Sequence, residues 1–188
     1  MKRTLALIFT LLLAFAFAIP ASAEGEAATL ELNWENVEPY LEVLGMEGDF
    51  YVYEEIGMQL WIPSGFEQVE LDEDDIANGT IDLFLTEDDT SAIRLQYFES
   101  LNWDDEKLIS VLENVGASNI TPVVLNGLYG YTYDLKETDT GALDFLIEGG
   151  DILEIAFGPV SDDANAALFL ILTASIQPLS KESAEPVA

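Results

Sequence analysis

The chain has 188 residues, 49% of them hydrophobic, with 36 acidic and 6 basic residues and a formal net charge of −30. It contains no His and no Cys, which removes Ser-His-Asp and Cys-His catalysis, zinc sites built on His or Cys, His- or Cys-held haem, and disulfides. This length matches one domain with a sizeable core, and the acidic balance opposes nucleic acid and anionic membrane surfaces while attracting cations.

The first element is a predicted secretory signal over residues 1–23. Lys2 and Arg3 form its basic start, Leu5 to Ala18 its apolar run, and Ala21-Ser22-Ala23 its small-residue cleavage site. Secretion to an extracellular location follows, with no membrane insertion once the signal is removed. After the signal only Arg94, Lys107, Lys136 and Lys181 are basic, against all 36 acidic residues. The expected partner is a protein or a cationic ligand, and the expected state is a monomer.

Residues 24–49 are expected to be an N-terminal segment with a helix. Glu24 to Thr29 is small and acidic. Trp34, Val37, Leu41 and Leu44 then recur at helical spacing, with Asn33 as a cap and Gly45 as a stop. Pro39 fits such a helix only in its first turn, with Asn36 as the cap. Residues 50–177 form the expected main domain, and 178–188 a disordered tail.

Phe50 to Glu54 and Met58 to Ile62 read as short strands around Gly57, closed by Pro63. Ser64 to Leu71 reads as a loop or helical turn, followed by the acidic loop Asp72-Glu73-Asp74-Asp75 and the Asn78-Gly79 turn. Ile81, Leu83 and Leu85 alternate with polar neighbours, as do Ile93, Leu95 and Tyr97. This predicts a hairpin about Glu87-Asp88-Asp89, with these apolar residues inward.

Asn102 to Gly116 is a predicted helix capped by Asn102, with Leu108, Val111, Leu112 and Val115 as its buried stripe. Ile120 to Leu125 and Leu128 to Leu135 flank Asn126-Gly127, a strong hairpin signal because both turn residues tolerate positive φ. Ala142 to Glu148 and Asp151 to Phe157 form a further hairpin about Gly149-Gly150. Leu143, Phe145 and Ile147 share a face, as do Leu153, Ile155 and Phe157. Asp162 or Ser161 caps a last helix from Ala164 to about Thr173, too short to span a membrane. Strand pairs followed by a helix occur twice, so the expected fold class is α+β, read as a pseudo-duplicated unit. Phe50 to Phe98 and Val123 to Phe157 are its expected halves.

Several of these segments resemble the PsbP/Mog1-like families. Gly57 to Phe66, "GMQLWIPSGF", is similar to their opening strand. Trp103 to Ala117, "WDDEKLISVLENVGA", resembles the helix after their central hairpin. Val123 to Leu135, "VVLNGLYGYTYDL", resembles the next strand pair, and Phe169 to Gln177, "FLILTASIQ", the closing helix. The resemblance spans Phe50 to Gln177 and leaves out the Trp34 helix. It implies a central antiparallel β-sheet flanked by helices, an α/β/α sandwich, with a binding or scaffolding role. It carries no catalytic motif and no ligand residue onto this chain.

The remaining chemistry is that of carboxylates. Asp72, Asp74, Asp75, Glu87, Asp88 and Asp89 are candidate Ca²⁺ ligands, although neither loop has the spacing of an EF-hand. The plainer reading is two solvated loops and no cofactor. Tyr129, Tyr131 and Tyr133 share one strand face and either fill the core or line a sugar or peptide groove. Asp82, Arg94, Asp134, Asp144 and Glu154 alternate with core residues and are expected together on the opposite side of the sheet. There Arg94 either pairs with a carboxylate such as Asp82 or helps to form a ligand cleft. The leading expectation is a non-enzymatic accessory or binding domain. The alternatives are a cation-binding protein and, behind it, a carboxylate-dependent hydrolase.

Overall fold

A computed structural model describes residues 30–99, 101–147 and 149–179. The predicted signal, the acidic lead Glu24 to Thr29, and Ser100, Glu148 and the tail beyond Leu179 lie outside them.

Eleven strands and four helices follow in order: β1 Leu30–Leu32, α1 Trp34–Leu44, β2 Gly48–Tyr53, β3 Met58–Pro63, β4 Phe66–Gln68, α2 Glu73–Ala77, β5 Thr80–Thr86, β6 Ala92–Phe98, α3 Asp105–Asn114, β7 Ser118–Leu125, β8 Leu128–Leu135, β9 Thr140–Ile147, β10 Asp151–Gly158, α4 Asp163–Ser175 and β11 Gln177–Pro178. The large sheet has eight strands in the order β1-β7-β8-β9-β10-β6-β5-β4. It is antiparallel except at β1, which runs parallel to β7. The fold is the expected α+β sandwich.

The two faces of the large sheet carry separate cores. On one face Phe84, Ile93, Leu95, Leu143, Phe145, Leu153, Ile155 and Phe157 are buried against α4 and α1. On the other, Leu108 and Leu112 of α3 cover Tyr131, Tyr133, Ala142, Ile152 and Ala156. The tyrosine row therefore fills a core, as the plainer reading held. Its hydroxyls are hydrogen-bonded: Tyr129 and Tyr131 to each other at 2.8 Å, and Tyr129 to Asp105 at 3.3 Å.

Several expectations change. β2 and β3 do not join the large sheet; they form a second, three-stranded sheet in the order β11-β3-β2. Nearly every residue of β3 is buried, Leu60 and Trp61 alike, so the alternation that marks a half-exposed strand is absent there. Pro178 belongs to β11 rather than to the tail. Gly48 meets β3 so closely that a Cβ there would lie 2.3 Å from the Ile62 carbonyl oxygen. Phe66–Gln68 is a strand rather than a turn. Asp72 to Asp75 open a short helix rather than a loop. α1 keeps Asn33 as its cap with Pro39 inside the helix. Pro39 is tolerated because it and Glu35, whose carbonyl it leaves without an i→i+4 partner, are both exposed.

In α3 the cap is Asp104, whose side chain accepts from Lys107 N, and Val115 is 61% exposed because the helix ends before it. In β5 the faces are reversed: Asp82 is 3% exposed and Ile81 37%. A register shift between Thr80 and Asp82 turns Phe84, not Leu83, into the core.

Candidate functional site

Adjacent strands β8, β9, β10 and β6 place four functional side chains on the α3 face. The registers Tyr133↔Ala142, Glu154↔Asp144 and Ala156↔Arg94 put Tyr133, Asp144, Glu154 and Arg94 on that one face. The Tyr133 hydroxyl lies 3.1 Å from Asp144 Oδ1 and 3.0 Å from Glu154 Oε2. Arg94 Nη2 donates to Glu154 Oε1 at 3.4 Å. This is the ion pair expected of Arg94, with Glu154 rather than Asp82 as its partner. It is also the only ion pair among the described residues.

One phenolic proton cannot satisfy two ionised carboxylates. Burial, and then the neighbouring Glu154 charge, push the Asp144 carboxyl up to about 8. That value keeps Asp144 protonated at neutral pH, so its carboxyl can donate to Tyr133 while Tyr133 donates to Glu154, which accepts from Arg94. Burial, followed by the Asp144 and Glu154 charges, pushes the Tyr133 hydroxyl well above its ordinary value.

Beside this chain lies a groove of about 570 Å³ between the Asp89–Ser91 turn and Pro159. Arg94 and Ala156 lie on its sheet side, and Leu135, Thr138 and Thr140 also line it. Asp144 and Glu154 are not among the residues that line this groove. Both carboxylates are engaged by the one tyrosine.

The other two expected cleft residues lie elsewhere, on the α4 face. Asp82 accepts from Tyr53 Oη at 2.9 Å, Gln68 Nε2 at 2.9 Å and Leu83 N at 3.0 Å. Burial, and then the Asp82 charge, raise the Tyr53 hydroxyl strongly. Asp134 accepts from Asn119 Nδ2 at 2.5 Å and lines a second hollow, of about 500 Å³, between β7, β8 and α4. Alternation within each strand cannot say which face of a sheet it presents, so of the five expected cleft residues only Arg94, Asp144 and Glu154 meet.

The acidic loops hold their own backbone. Asp72 Oδ1 accepts from Asp75 N at 2.8 Å, and Asp75 Oδ2 from Asp72 N at 3.3 Å, a reciprocal helix cap. Asp74 stands in the first turn of α2. Asp88 Oδ1 accepts from the Thr90 and Thr86 hydroxyls at 2.7 and 2.9 Å, which hold its carboxyl below the usual range. Glu87 is exposed, and Asp89 takes a left-handed turn conformation. Among the described residues no group of three or more acidic side chains is arranged to hold a metal ion.

Asn126 went unrecognised as more than a turn residue. Its Oδ1 accepts from Trp34 N at 2.7 Å, and its Nδ2 donates to the Ala174 and Ile176 carbonyls at 2.8 and 2.6 Å. It ties α1, the β7–β8 turn and the end of α4 together.

No protein-family model matches the chain, and no curated protein matches its sequence. Solved structures do match its shape. The cyanobacterial PsbP (CyanoP) of Synechocystis sp. PCC 6803 is similar with a TM-score of 0.55 at 14% identity, over 70% of this chain and 92% of that one. A Bacteroides thetaiotaomicron protein matches with a TM-score of 0.47 at 17% identity, over 75% of this chain and 52% of its own. The Saccharomyces cerevisiae Ran-binding protein Mog1p gives 0.45 at 11% identity, over 73% of this chain and 98% of that one. At these identities the likeness concerns the fold alone. The chain has a PsbP/Mog1-like fold, as the pattern of strands, Asn-Gly turn and closing helix implied.

Proposed function

We propose that the protein is an exported, non-enzymatic binding domain that engages a cationic partner, most simply a basic protein. The observation that carries this is the uncompensated acidic surface: beyond the predicted signal, 36 acidic residues face four basic ones, and among the described residues only Arg94 and Glu154 form an ion pair. A surface of this kind raises encounter rates with cations and imposes a strong salt dependence. The carboxylate that burial raises, Asp144, is spent on a structural hydrogen-bonded chain, which supports binding over hydrolysis. Among the described residues no helix is long and apolar enough to cross a membrane.

The test is titration with hexalysine at several salt concentrations. Binding at low salt that weakens steadily as salt rises supports the proposal; no binding at low salt ends it. A parallel calorimetric titration with Ca²⁺ separates a basic partner from a metal ion, since heat and a raised melting temperature with Ca²⁺ alone favour the cation-binding alternative.

A further inference from the structure

The two sheets have four edges, and three of them are short. β1 and β4 are three residues long, and β11 is two, one of them Pro178. β2 is the exception, a six-residue edge, GDFYVY. Short strands and proline are ordinary ways of blunting an edge, and β2 uses neither.

The direction of its backbone groups follows from one bond. Ser64 N donates to Glu47 O at 2.7 Å, and the register pairs Gly48 with Pro63. The hydrogen-bonded pairs of the β2–β3 ladder are therefore those of Asp49, Tyr51 and Tyr53. Gly48, Phe50 and Val52 point their N–H and C=O groups away from β3, and these meet no other backbone group among the described residues. Pro63, which has no N–H, falls opposite Gly48 where none is needed. The side chains of Phe50 and Val52 are 36% and 53% exposed along the same strand.

The surroundings select the occupant. Glu47, Asp49, Glu54 and Glu55 flank the strand and are all exposed. At its start a hollow of about 620 Å³ is lined by Glu38, Glu42 and Glu47 with Leu41 and Met46. Apolar walls with carboxylates are what the stem and head of a lysine require. A second copy of the chain fits badly. It would bring its own Glu47, Asp49, Glu54 and Glu55 to an edge already flanked by the same carboxylates, and like charges gathered across a ladder are destabilising.

We propose that the β2 edge is a docking strand that takes an extended segment of a basic partner as an added strand, with a lysine or arginine of that segment seated among Glu38, Glu42 and Glu47. This rests on the reading that the partner is cationic. Main-chain bonds to Gly48, Phe50 and Val52 supply the register, and apolar residues of the guest lie beside Phe50 and Val52.

The probe is a capped hexapeptide of alternating lysine and valine, read by affinity and by amide exchange. On binding, the Gly48, Phe50 and Val52 amides slow about tenfold or more, while those of Asp49, Tyr51 and Tyr53 are unchanged. Val52→Pro, which removes one outward N–H, weakens binding at least tenfold, and Val52→Thr, which keeps it, does not. Unchanged affinity in a folded Val52→Pro variant, or absence of the alternating exchange pattern, overturns the proposal. If Val52→Pro does not fold, the exchange pattern in the unaltered protein decides alone. Slowing of the same amides at high protein concentration without peptide assigns the edge to a second copy and also overturns it. Should hexalysine bind while the edge amides stay fast, the docking strand falls and the cationic-partner reading stands. Should neither peptide bind, both fall.

Discussion

Asp144 and Arg94 stand at the two ends of one hydrogen-bonded chain that crosses four neighbouring strands, through Tyr133 and Glu154. The chain holds a proton at its buried end and a cation at its exposed end. It makes the stability of the protein depend on pH in an uncommon direction for a carboxylate.

Asp144 titrates near 8 when folded, against an ordinary value of 3.8. The folded state thus binds the proton more tightly than the unfolded state. Its contribution is fully present below about pH 4 and is lost as pH rises through 8. Asp144→Asn keeps a donor for Tyr133 and cannot ionise. Melting curves from pH 5 to pH 9 should show the variant gaining on the unaltered protein with rising pH, by roughly 3 kcal/mol at the upper end. A constant difference across that range would place the proton elsewhere.

Arg94 and Glu154 make a partly solvated pair, with side chains 45% and 16% exposed. Arg94→Met should cost less than about 1 kcal/mol in urea unfolding, and less again at high salt. If Arg94 instead anchors a ligand in the groove beside it, the same variant loses that ligand with little change in stability.

Replacing Asn126 should do more harm than replacing Arg94. Asn126→Ala removes three hydrogen bonds and places an alanine at φ 49. The expected loss is about 3 kcal/mol or more. Asn126→Gly removes the same bonds but accepts the backbone, so it should be about 1 kcal/mol less damaging. Equal losses would mean that the turn conformation contributes nothing.

Four of the seven tyrosines, Tyr53, Tyr97, Tyr131 and Tyr133, have hydroxyls raised first of all by burial, Tyr97 to about 12. Ultraviolet titration should therefore find these four phenols ionising late, as the fold opens. For these groups the folded value lies above the unfolded one, so stability is lost as pH rises beyond about 10. Seven tyrosines ionising together at the ordinary value would contradict the packing of the α3 face.

Much of this was readable from local pattern. Asn126-Gly127 marked its hairpin because both residues take positive φ, 49 and 81. Leu143 and Phe145, and Leu153, Ile155 and Phe157, alternated into one core as read. Local pattern failed where a distant partner decided the matter. Asp82 looks like a solvent residue until Tyr53 and Gln68, from other strands, satisfy it inside the core. Leu60, Trp61 and Ile62 are apolar in succession and give no hint that their strand leaves the large sheet for a second one. Asp144, Glu154 and Arg94 share a face, but Tyr133, which links the two carboxylates, comes from a third strand that the local pattern does not point to. The open β2 edge depends on where the other ten strands pair, which no single segment contains.

The three bonds of Asn126 also bear on the order in which the chain can fold. They join Trp34, near the start of the described chain, to Ala174 and Ile176, near its end. β11, which follows at once, completes the second sheet. A chain emerging from its N-terminus can form its hairpins early, since their contacts are local. It cannot close the sandwich until the stretch from Ala174 to Pro178 has been delivered. A deletion of only a few residues ahead of Pro178 should therefore leave hairpins without a finished sandwich.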